Sequence, residues 1–175
     1  MIINPLKQAV PHYTGIPATD EPEVAIITAR QAPFYSWHAS AFVHDHKTVL
    51  VLANDRTKTA TLLIGVDDAD QSQLSEQIKQ AIRVAFEASD VAEADIDTYF
   101  ENAGDLALGE AFDRSTLPVI KDFVSWLQAN YGPGELPLDQ VVNRAVIERL
   151  VSVPVLTVPS HSSKSELATA ISEFS

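Results

Sequence analysis

The densest group of side chains able to bind a metal ion or move a proton is His38, His44, Asp45 and His46. His38 and His44 lie on one predicted strand, roughly 20 Å apart at ~3.3 Å per residue, so a straight strand cannot bring both to one ion. His44 and His46 flank a predicted turn and could pair with an acid from elsewhere. A catalytic zinc site needs three protein ligands and an open position, and the sequence has no HExxH motif. Polar turn residues are therefore the favoured interpretation, with a small metal-assisted, hydrolase-like enzyme as the alternative.

Two further groups of polar side chains occur in predicted loops: Asn54, Arg56 and Thr57 in one turn, and Arg114 with Ser115 before a helix. A helix N-terminus beside an arginine can hold a carboxylate or a phosphate. Asp113 is a ready local partner for Arg114, however, so structural capping is the favoured interpretation of that group. Trp37, next to His38, completes the candidate binding residues.

Several common kinds of active site are excluded by missing motifs. The sequence has no GxSxG elbow for a serine nucleophile, no GxGxxG dinucleotide fingerprint and no phosphate-binding P-loop. It also has no cysteine, which excludes disulfides and thiolate chemistry and fits a cytoplasmic protein. We expect no cofactor.

The charge of the chain is strongly negative and unevenly placed. The formal net charge is −12, and no lysine or arginine occurs between Val84 and Asp113. That stretch carries these acids: Glu87, Asp90, Glu93, Asp95, Asp97, Glu101, Asp105, Glu110 and Asp113. A nucleic-acid binder needs clustered cations along the phosphates, so neither nucleic acid nor an anionic membrane is an expected partner. A solvated acidic face is the favoured interpretation, while a basic protein partner or mimicry of nucleic-acid charge remains open.

Alternating hydrophobicity predicts an antiparallel β-meander over residues 34–66. Trp37 and the alanines that follow it alternate with His38 and His44, which places the two histidines on the face opposite Trp37. Residues 49–53 are apolar at every position, as in a central strand covered on both faces. Residues 59–66 alternate again and complete the meander.

The rest of the chain predicts helices and short extended pieces. Apolar residues at helical spacing predict a helix that begins near Leu74 and ends at Ser89 and Asp90, and one that begins within residues 113–118 and stops at Tyr131. They also predict helices over about 139–150 and 163–174, with a shorter one over 93–100. Extended segments are predicted at residues 24–29, 105–112 and 155–158. Residues 1–33 contain five prolines and are expected to form an irregular arm over the sheet. We therefore predict one α+β domain over residues 1–175, with an antiparallel sheet of four to five strands covered by helices mainly on one face.

A series of landmarks between Trp37 and Phe174 resembles a known family. They are Trp37 on a strand, VLVLANDRT, a long helix and an acidic connection, and then DRSTLPVIKDFVSWL and VVNRAVIERLVSVPVL. In that order they are similar to small bacterial proteins known only as a domain of unknown function. The resemblance implies one α+β domain of bacterial origin. It implies no activity and assigns no catalytic residue.

The sequence is compatible with three functions. The leading expectation is a non-enzymatic cytoplasmic module that binds a protein partner or self-associates, through its acidic region and an exposed edge or aromatic patch. The alternative is the small enzyme that uses the histidines around the first hairpin. A weaker alternative is an acidic mimic of nucleic acid, which requires the carboxylates to form a regularly spaced stripe.

Overall fold

A mixed five-stranded sheet forms the centre of the fold. The computed structural model describes residues 1–68, 70–112 and 115–174. The strands are β1 (Ile2–Pro5), β2 (Ser36–His44), β3 (Lys47–Asn54), β4 (Ala60–Ile64) and β5 (Ala107–Leu108). Their order across the sheet is β4-β3-β2-β1-β5.

The meander is present, but the sheet as a whole is not antiparallel. Strands β2, β3 and β4 pair antiparallel as predicted. Strand β1 pairs parallel with β2 on one side and with β5 on the other. The α+β class is confirmed, whereas a purely antiparallel sheet was wrong. The parallel pairs arise because a long connection containing a helix, rather than a tight turn, separates β1 from β2.

The helices lie on both faces of the sheet. They are α1 (Pro22–Gln31), α2 (Leu74–Glu87), α3 (Glu93–Ala103), α4 (Thr116–Asn130), α5 (Arg144–Val151) and α6 (Ser163–Phe174). Helix α2 packs on the Trp37 face, where the Trp37 ring lies 6.3 Å from that of Phe86. Helix α4 begins on the His38 face, where Thr116 joins the hydrogen bonds around His38. The prediction that the helices cover mainly one face of the sheet was therefore wrong. Strand β3 is apolar on both sides, so both faces need cover.

The N-terminal region contributes regular structure rather than an irregular arm. Strand β1 lies inside the sheet, between β2 and β5. Residues 24–29, predicted as an edge strand, belong to helix α1. That helix begins with Pro22, which lacks the N–H that a first-turn residue leaves unpaired, and it buries Ala25 and Ala29 at helical spacing. Tertiary packing of two alanines outweighed the β propensity of the branched side chains between them.

Three other predicted boundaries differ from the structure. The extended segment 105–112 forms a strand only at Ala107–Leu108, and α5 begins at Arg144 rather than near residue 139. Asn143 fixes that start, because its side chain accepts a hydrogen bond from the Val146 amide. Residues 155–158 form turns, in which the Val158 amide donates to the carbonyl of Val155. Among the helices of the described residues, none has the length and apolar character that a membrane crossing requires.

An aromatic cluster fills the space between the sheet and helices α2 and α3. Trp37 is fully buried and its Nε1 donates to the Tyr99 hydroxyl at 2.9 Å. The Tyr99 hydroxyl in turn donates to the carbonyl of Phe34 at 3.1 Å. The rings of Phe34 and Phe86 both pack on Tyr99, at 5.0 and 4.8 Å between centroids. Tyr13 is a second buried tyrosine, on the segment between β1 and α1.

These two tyrosines predict a loss of stability at alkaline pH. Burial raises the pKa of Tyr13 and of Tyr99 above the usual value. A raised folded-state pKa leaves stability intact below the unfolded pKa of about 10, and stability falls as the pH rises above it because the unfolded chain releases protons more readily. We expect the denaturant midpoint to fall above pH ~10 while tyrosinate absorbance rises with unfolding. Tyr13→Phe should reduce the slope, and an unchanged slope would contradict the assignment.

Candidate functional site

A buried histidine–carboxylate pair lies on the sheet face opposite Trp37. His38 Nδ1 is 2.5 Å from Asp55 Oδ1, and the two side chains are 0% and 2% exposed. The amide N–H of Phe112 donates to His38 Nε2 at 3.2 Å. Because Nε2 accepts that hydrogen bond, Nδ1 carries the proton and donates it to Asp55.

Further donors converge on the same carboxylate. Ser36 Oγ donates to Asp55 Oδ2 at 2.5 Å, and Thr116 Oγ1 donates to Oδ1 at 3.2 Å. Lys58 Nζ donates to the Asp55 carbonyl at 2.6 Å and to Thr116 Oγ1 at 2.7 Å. We call His38, Asp55, Ser36, Lys58 and Thr116 the buried polar cluster. It joins β2, the β3–β4 turn and the start of α4, because hydrogen bonds must replace the water that these groups lose.

The β3–β4 turn positions two members of the cluster. The Asn54 side-chain carbonyl accepts hydrogen bonds from the amides of Arg56 and Thr57, at 3.1 and 3.0 Å, which closes an Asx turn. Asn54 Nδ2 donates to the carbonyl of Phe34 at 2.8 Å and anchors the turn to the segment just before β2. Lys58 has a φ of 56°, which lets the chain reverse into β4. The turn therefore holds Asp55 and Lys58 side by side under α4.

The chemistry open to this cluster is limited by its own hydrogen bonds. A general base needs a nitrogen lone pair within reach of a substrate proton, and His38 Nε2 already accepts from Phe112. Ser36 Oγ contacts Asp55 rather than the imidazole, so these three residues are not arranged as a nucleophilic triad. The buried polar cluster instead fixes the segment that carries Phe112.

That segment, residues 109–112, follows β5 and contacts both β1 and the side chain of His38 in β2. The Gly109 amide donates to the Ile3 carbonyl at 2.9 Å. A Cβ on Gly109 would stand 2.5 Å from Asn4 Oδ1, so any larger residue would require the Asn4 side chain to move. At its other end the Phe112 ring lies 5.4 Å from the Arg30 guanidinium of α1. The segment is therefore held at both ends and faces α1.

An open groove lies between helix α1 and this segment. Its volume is about 610 Å³, and Val24, Glu21, Glu23, Pro22 and Glu110 line it. Val24 is 50% exposed, and Ile27, one turn further along α1 and beyond the residues that line the groove, is 53% exposed. We call the groove together with the neighbouring Ile27 the α1 groove. It combines uncovered aliphatic side chains with carboxylates on both sides.

The carboxylates of the α1 groove have no cationic partner in the described part of the chain. Glu21, Glu23 and Glu110 are all exposed, and no ion pair joins them to a described lysine, arginine or histidine. The groove wall is nevertheless firmly placed, because the Thr19 amide donates to the Leu108 carbonyl at 3.0 Å. Residues 17–19 also cover the outer edge of β5, as the Leu108 amide donates to the Pro17 carbonyl at 2.9 Å.

Comparison with known proteins identifies the family. The model of the family described as "Domain of unknown function (DUF6933)" matches residues 7–166. The chain belongs to this family. No curated protein and no solved structure matches it. The predicted resemblance to a domain of unknown function is thus confirmed for DUF6933, and bacterial origin stays a prediction.

The histidines of this DUF6933 chain do not form one site. His38 pairs with Ala53 inside the sheet, whereas His44 pairs with Lys47 at the hairpin end. Asp45 and His46 form the turn, with φ values of 45° and 65°. His44 Nε2 is 3.3 Å from Asp45 Oδ2 without hydrogen-bonding geometry. Within the described residues, no three histidine or acidic side chains stand close enough together to hold a metal ion.

The other candidate residues of the DUF6933 chain have mixed positions. Trp37 is buried in the aromatic cluster and offers no binding surface. Arg56 forms an ion pair with Glu173. Ser115 is the N-cap residue of α4, and its Oγ accepts a hydrogen bond from Lys58 Nζ at 3.2 Å rather than capping the helix through its side chain. Arg114 and Asp113 lie outside the described residues.

The sequence indicates His38, the Asn54 turn and Ser115 as separate candidates, and the structure brings all three together around Asp55. Asp55 itself is not among the candidate residues of the sequence. A signal was available, because Ser36, His38 and Ser40 place polar atoms on one face of a strand whose neighbours are apolar. The α1 groove was missed because α1 was predicted as a strand.

Proposed function

We propose that this chain is a non-enzymatic, cytoplasmic binding module whose α1 groove holds a partner segment that carries both basic and apolar side chains. The observation that supports this most directly is the α1 groove itself, an open concavity in which exposed aliphatic side chains are flanked by unpaired carboxylates. The absence of cysteine supports the compartment. The buried polar cluster serves the function by fixing the groove wall.

The apolar part of the groove favours burial under a partner. Val24 and Ile27 are β-branched side chains one helical turn apart, and each is about half exposed. Fully burying such a side chain contributes about 1.5–3 kcal/mol. Their stiff side chains also lose little rotamer freedom on binding. A partner segment that covers both would place its own aliphatic residue along the floor of the groove.

The charges of the groove select the sign of the partner. Glu21 and Glu23 stand on one wall and Glu110 on the other, so lysines or arginines of a bound segment would meet carboxylates on both sides. Complementary charges speed association and exclude acidic competitors. A second copy of this chain is a poor occupant, because two molecules of net charge −12 repel each other.

A pair of synthetic peptides tests the proposal. One is a fluorescein-labelled peptide with leucines at helical spacing and lysines between them, and the other has glutamate in place of every lysine. We expect the basic peptide to bind, as followed by fluorescence anisotropy, and the acidic peptide not to bind. Binding should weaken as salt is added, because the attraction is between exposed charges.

Matched variants distinguish an effect of the groove carboxylates from an effect of the overall charge. The groove variant is Glu21→Gln with Glu23→Gln and Glu110→Gln. The control variant makes the same charge change elsewhere: Asp90→Asn with Glu93→Gln and Glu101→Gln. We expect the groove variant to weaken binding of the basic peptide by roughly tenfold or more, and the control by much less.

A second pair of variants tests the apolar contact. Val24→Ser with Ile27→Ser should weaken binding, whereas Val43→Ser, at a position that is 68% exposed on the β2–β3 hairpin, should not. The proposal would be contradicted if the groove and control charge variants lost the same affinity for the basic peptide, or if the acidic peptide bound. Either result would mean that the groove has no specific role in binding. The metal-assisted enzyme and the nucleic-acid mimic stay predictions from the sequence.

A further inference from the structure

A second surface, between α4 and α5, has an arginine held between two aromatic rings. The Arg149 guanidinium carbon lies 5.5 Å from the ring centre of Trp126 and 4.8 Å from that of Tyr131. Arg149 Nη1 donates to the Tyr131 hydroxyl at 2.9 Å. The two rings meet edge to face, with centroids 6.4 Å apart. Stacking and this hydrogen bond give the guanidinium a defined position at the surface.

Arg149 differs in its partners from three of the five arginines that the structure describes. Arg56, Arg83 and Arg144 each form an ion pair with a carboxylate. Arg149 makes no ion pair with any residue that the structure describes, although acids outnumber lysines and arginines by 24 to 12. A planar guanidinium can bind a carboxylate through two parallel hydrogen bonds, and among the described residues only Nη1 of Arg149 donates a hydrogen bond, to Tyr131.

The guanidinium borders a recess with apolar walls. The recess has a volume of about 400 Å³, within the usual range for small-ligand sites, and Trp126, Val153 and Pro154 form its apolar lining. Glu148 also lines it and would oppose an anion. Arg144 Nη1, however, lies 3.7 Å from Glu148 Oε1 and partly offsets that charge. The recess therefore offers one preorganised cation next to an apolar surface.

We propose that this recess binds a carboxylate attached to an apolar group, with Arg149 as the carboxylate-binding residue and Trp126, Val153 and Pro154 against the apolar group. Two sources share this chemistry: a free small carboxylic acid and the last residue of a peptide chain. Tyr131 is a positioning residue, since its hydroxyl holds the guanidinium. The site is independent of the α1 groove.

Tryptophan fluorescence provides the readout on the intact protein. The chain has two tryptophans, and Trp37 is fully buried, so Trp126 reports on the recess. The probes are N-acetyl-leucine and its amide, and a hexapeptide ending in leucine with a free or an amidated C-terminus. We expect both free acids to change the emission saturably and both amides to have no effect. Tighter binding of the hexapeptide identifies a peptide C-terminus as the source, and equal binding identifies a free acid.

Variants assign the effect to the arginine rather than to charge or stability. Arg149→Gln should weaken binding by roughly tenfold or more, and Arg149→Lys should restore little of it, because lysine lacks the planar pair of donors. Glu148→Gln should strengthen binding a few fold. Arg83→Gln is the matched control, since Arg83 also lies over an aromatic ring, at 5.6 Å from that of Phe100, but is paired with Asp97.

Two results would overturn the site. One is equal binding of acid and amide, which would leave the carboxylate without a role. The other is unchanged binding in Arg149→Gln while its circular dichroism matches that of the parent protein, which would make the stacked arginine purely a link between α4 and α5. Tyr131→Phe should weaken binding less than Arg149→Gln, because it loosens the guanidinium without removing it.

Discussion

Replacing Asp55 with alanine is expected to lower the free energy of unfolding by about 3–5 kcal/mol. The carboxylate accepts hydrogen bonds from His38 Nδ1, Ser36 Oγ and Thr116 Oγ1, all inside the protein. Without it these buried donors lose this acceptor, and losing the acceptor of a buried donor costs about 1–3 kcal/mol. The effect should be among the largest of any single substitution in the chain.

Urea denaturation followed by circular dichroism measures this loss. The matched control is Asp97→Ala, which removes an exposed carboxylate paired with Arg83 at 2.5 Å. Exposed pairs contribute about 0–1 kcal/mol, so the control should remain close to the parent protein. Similar midpoints for Asp55→Ala and Asp97→Ala would mean that the buried polar cluster does not hold these elements together.

A double substitution measures the direct coupling between His38 and Asp55. Once Asp55 is gone, His38 is left with a buried donor that no longer has this acceptor. His38→Leu in the Asp55→Leu background should therefore cost less than His38→Leu in the parent protein, and the two effects should not add. Additive losses would contradict direct coupling through the 2.5 Å contact.

Replacing Trp37 with alanine is expected to cost about 3–5 kcal/mol through the cavity that it leaves. Trp37 is the largest fully buried side chain, and it donates a hydrogen bond to the Tyr99 hydroxyl. Truncation therefore removes ring packing against Phe86 and a buried donor together. The near-ultraviolet circular dichroism of the aromatic cluster should weaken in parallel.

The control for Trp37 is the other tryptophan. Trp126 is half-buried on α4, so Trp126→Ala should cost clearly less in the same urea experiment. Trp37→Phe should fall between the parent and Trp37→Ala, because it keeps an aromatic ring and loses only the indole N–H and part of the volume. If the Trp37→Ala and Trp126→Ala proteins were equally stable, Trp37 would not be a central residue of the core.

The strands of the meander and most helices were predictable because their periodicity is local. The alternation around Trp37 and His38 fixes which residues share a face, and the apolar run of β3 requires cover on both sides. The stripe of α2 predicts its packing for the same reason. Strand β1 was less accessible, since Ile2–Pro5 is too short to show a period and gains its strand identity only by pairing with β2 and β5.

The candidate sites were less predictable than the elements that carry them. His38 and Asp55 are 17 residues apart, and Thr116 lies 61 residues beyond Asp55. No local pattern joins such positions, because their contact depends on how the β3–β4 turn meets the start of α4. The α1 groove likewise depends on the position of residues 109–112. Gly109 fixes that position through its contact with β1, and Phe112 through its contact with β2.

By itself the sequence determined the α+β class, the antiparallel meander, the excess of negative charge and the likeness to a domain of unknown function. These features follow from composition, from order along the chain and from local periodicity. Only the tertiary structure decided that β1 runs parallel inside the sheet, that His38 is buried against Asp55 rather than grouped with His44 and His46, and that Arg149 stands between two aromatic rings. Each of these depends on contacts between segments distant in sequence, whose free energy appears only when the chain has folded.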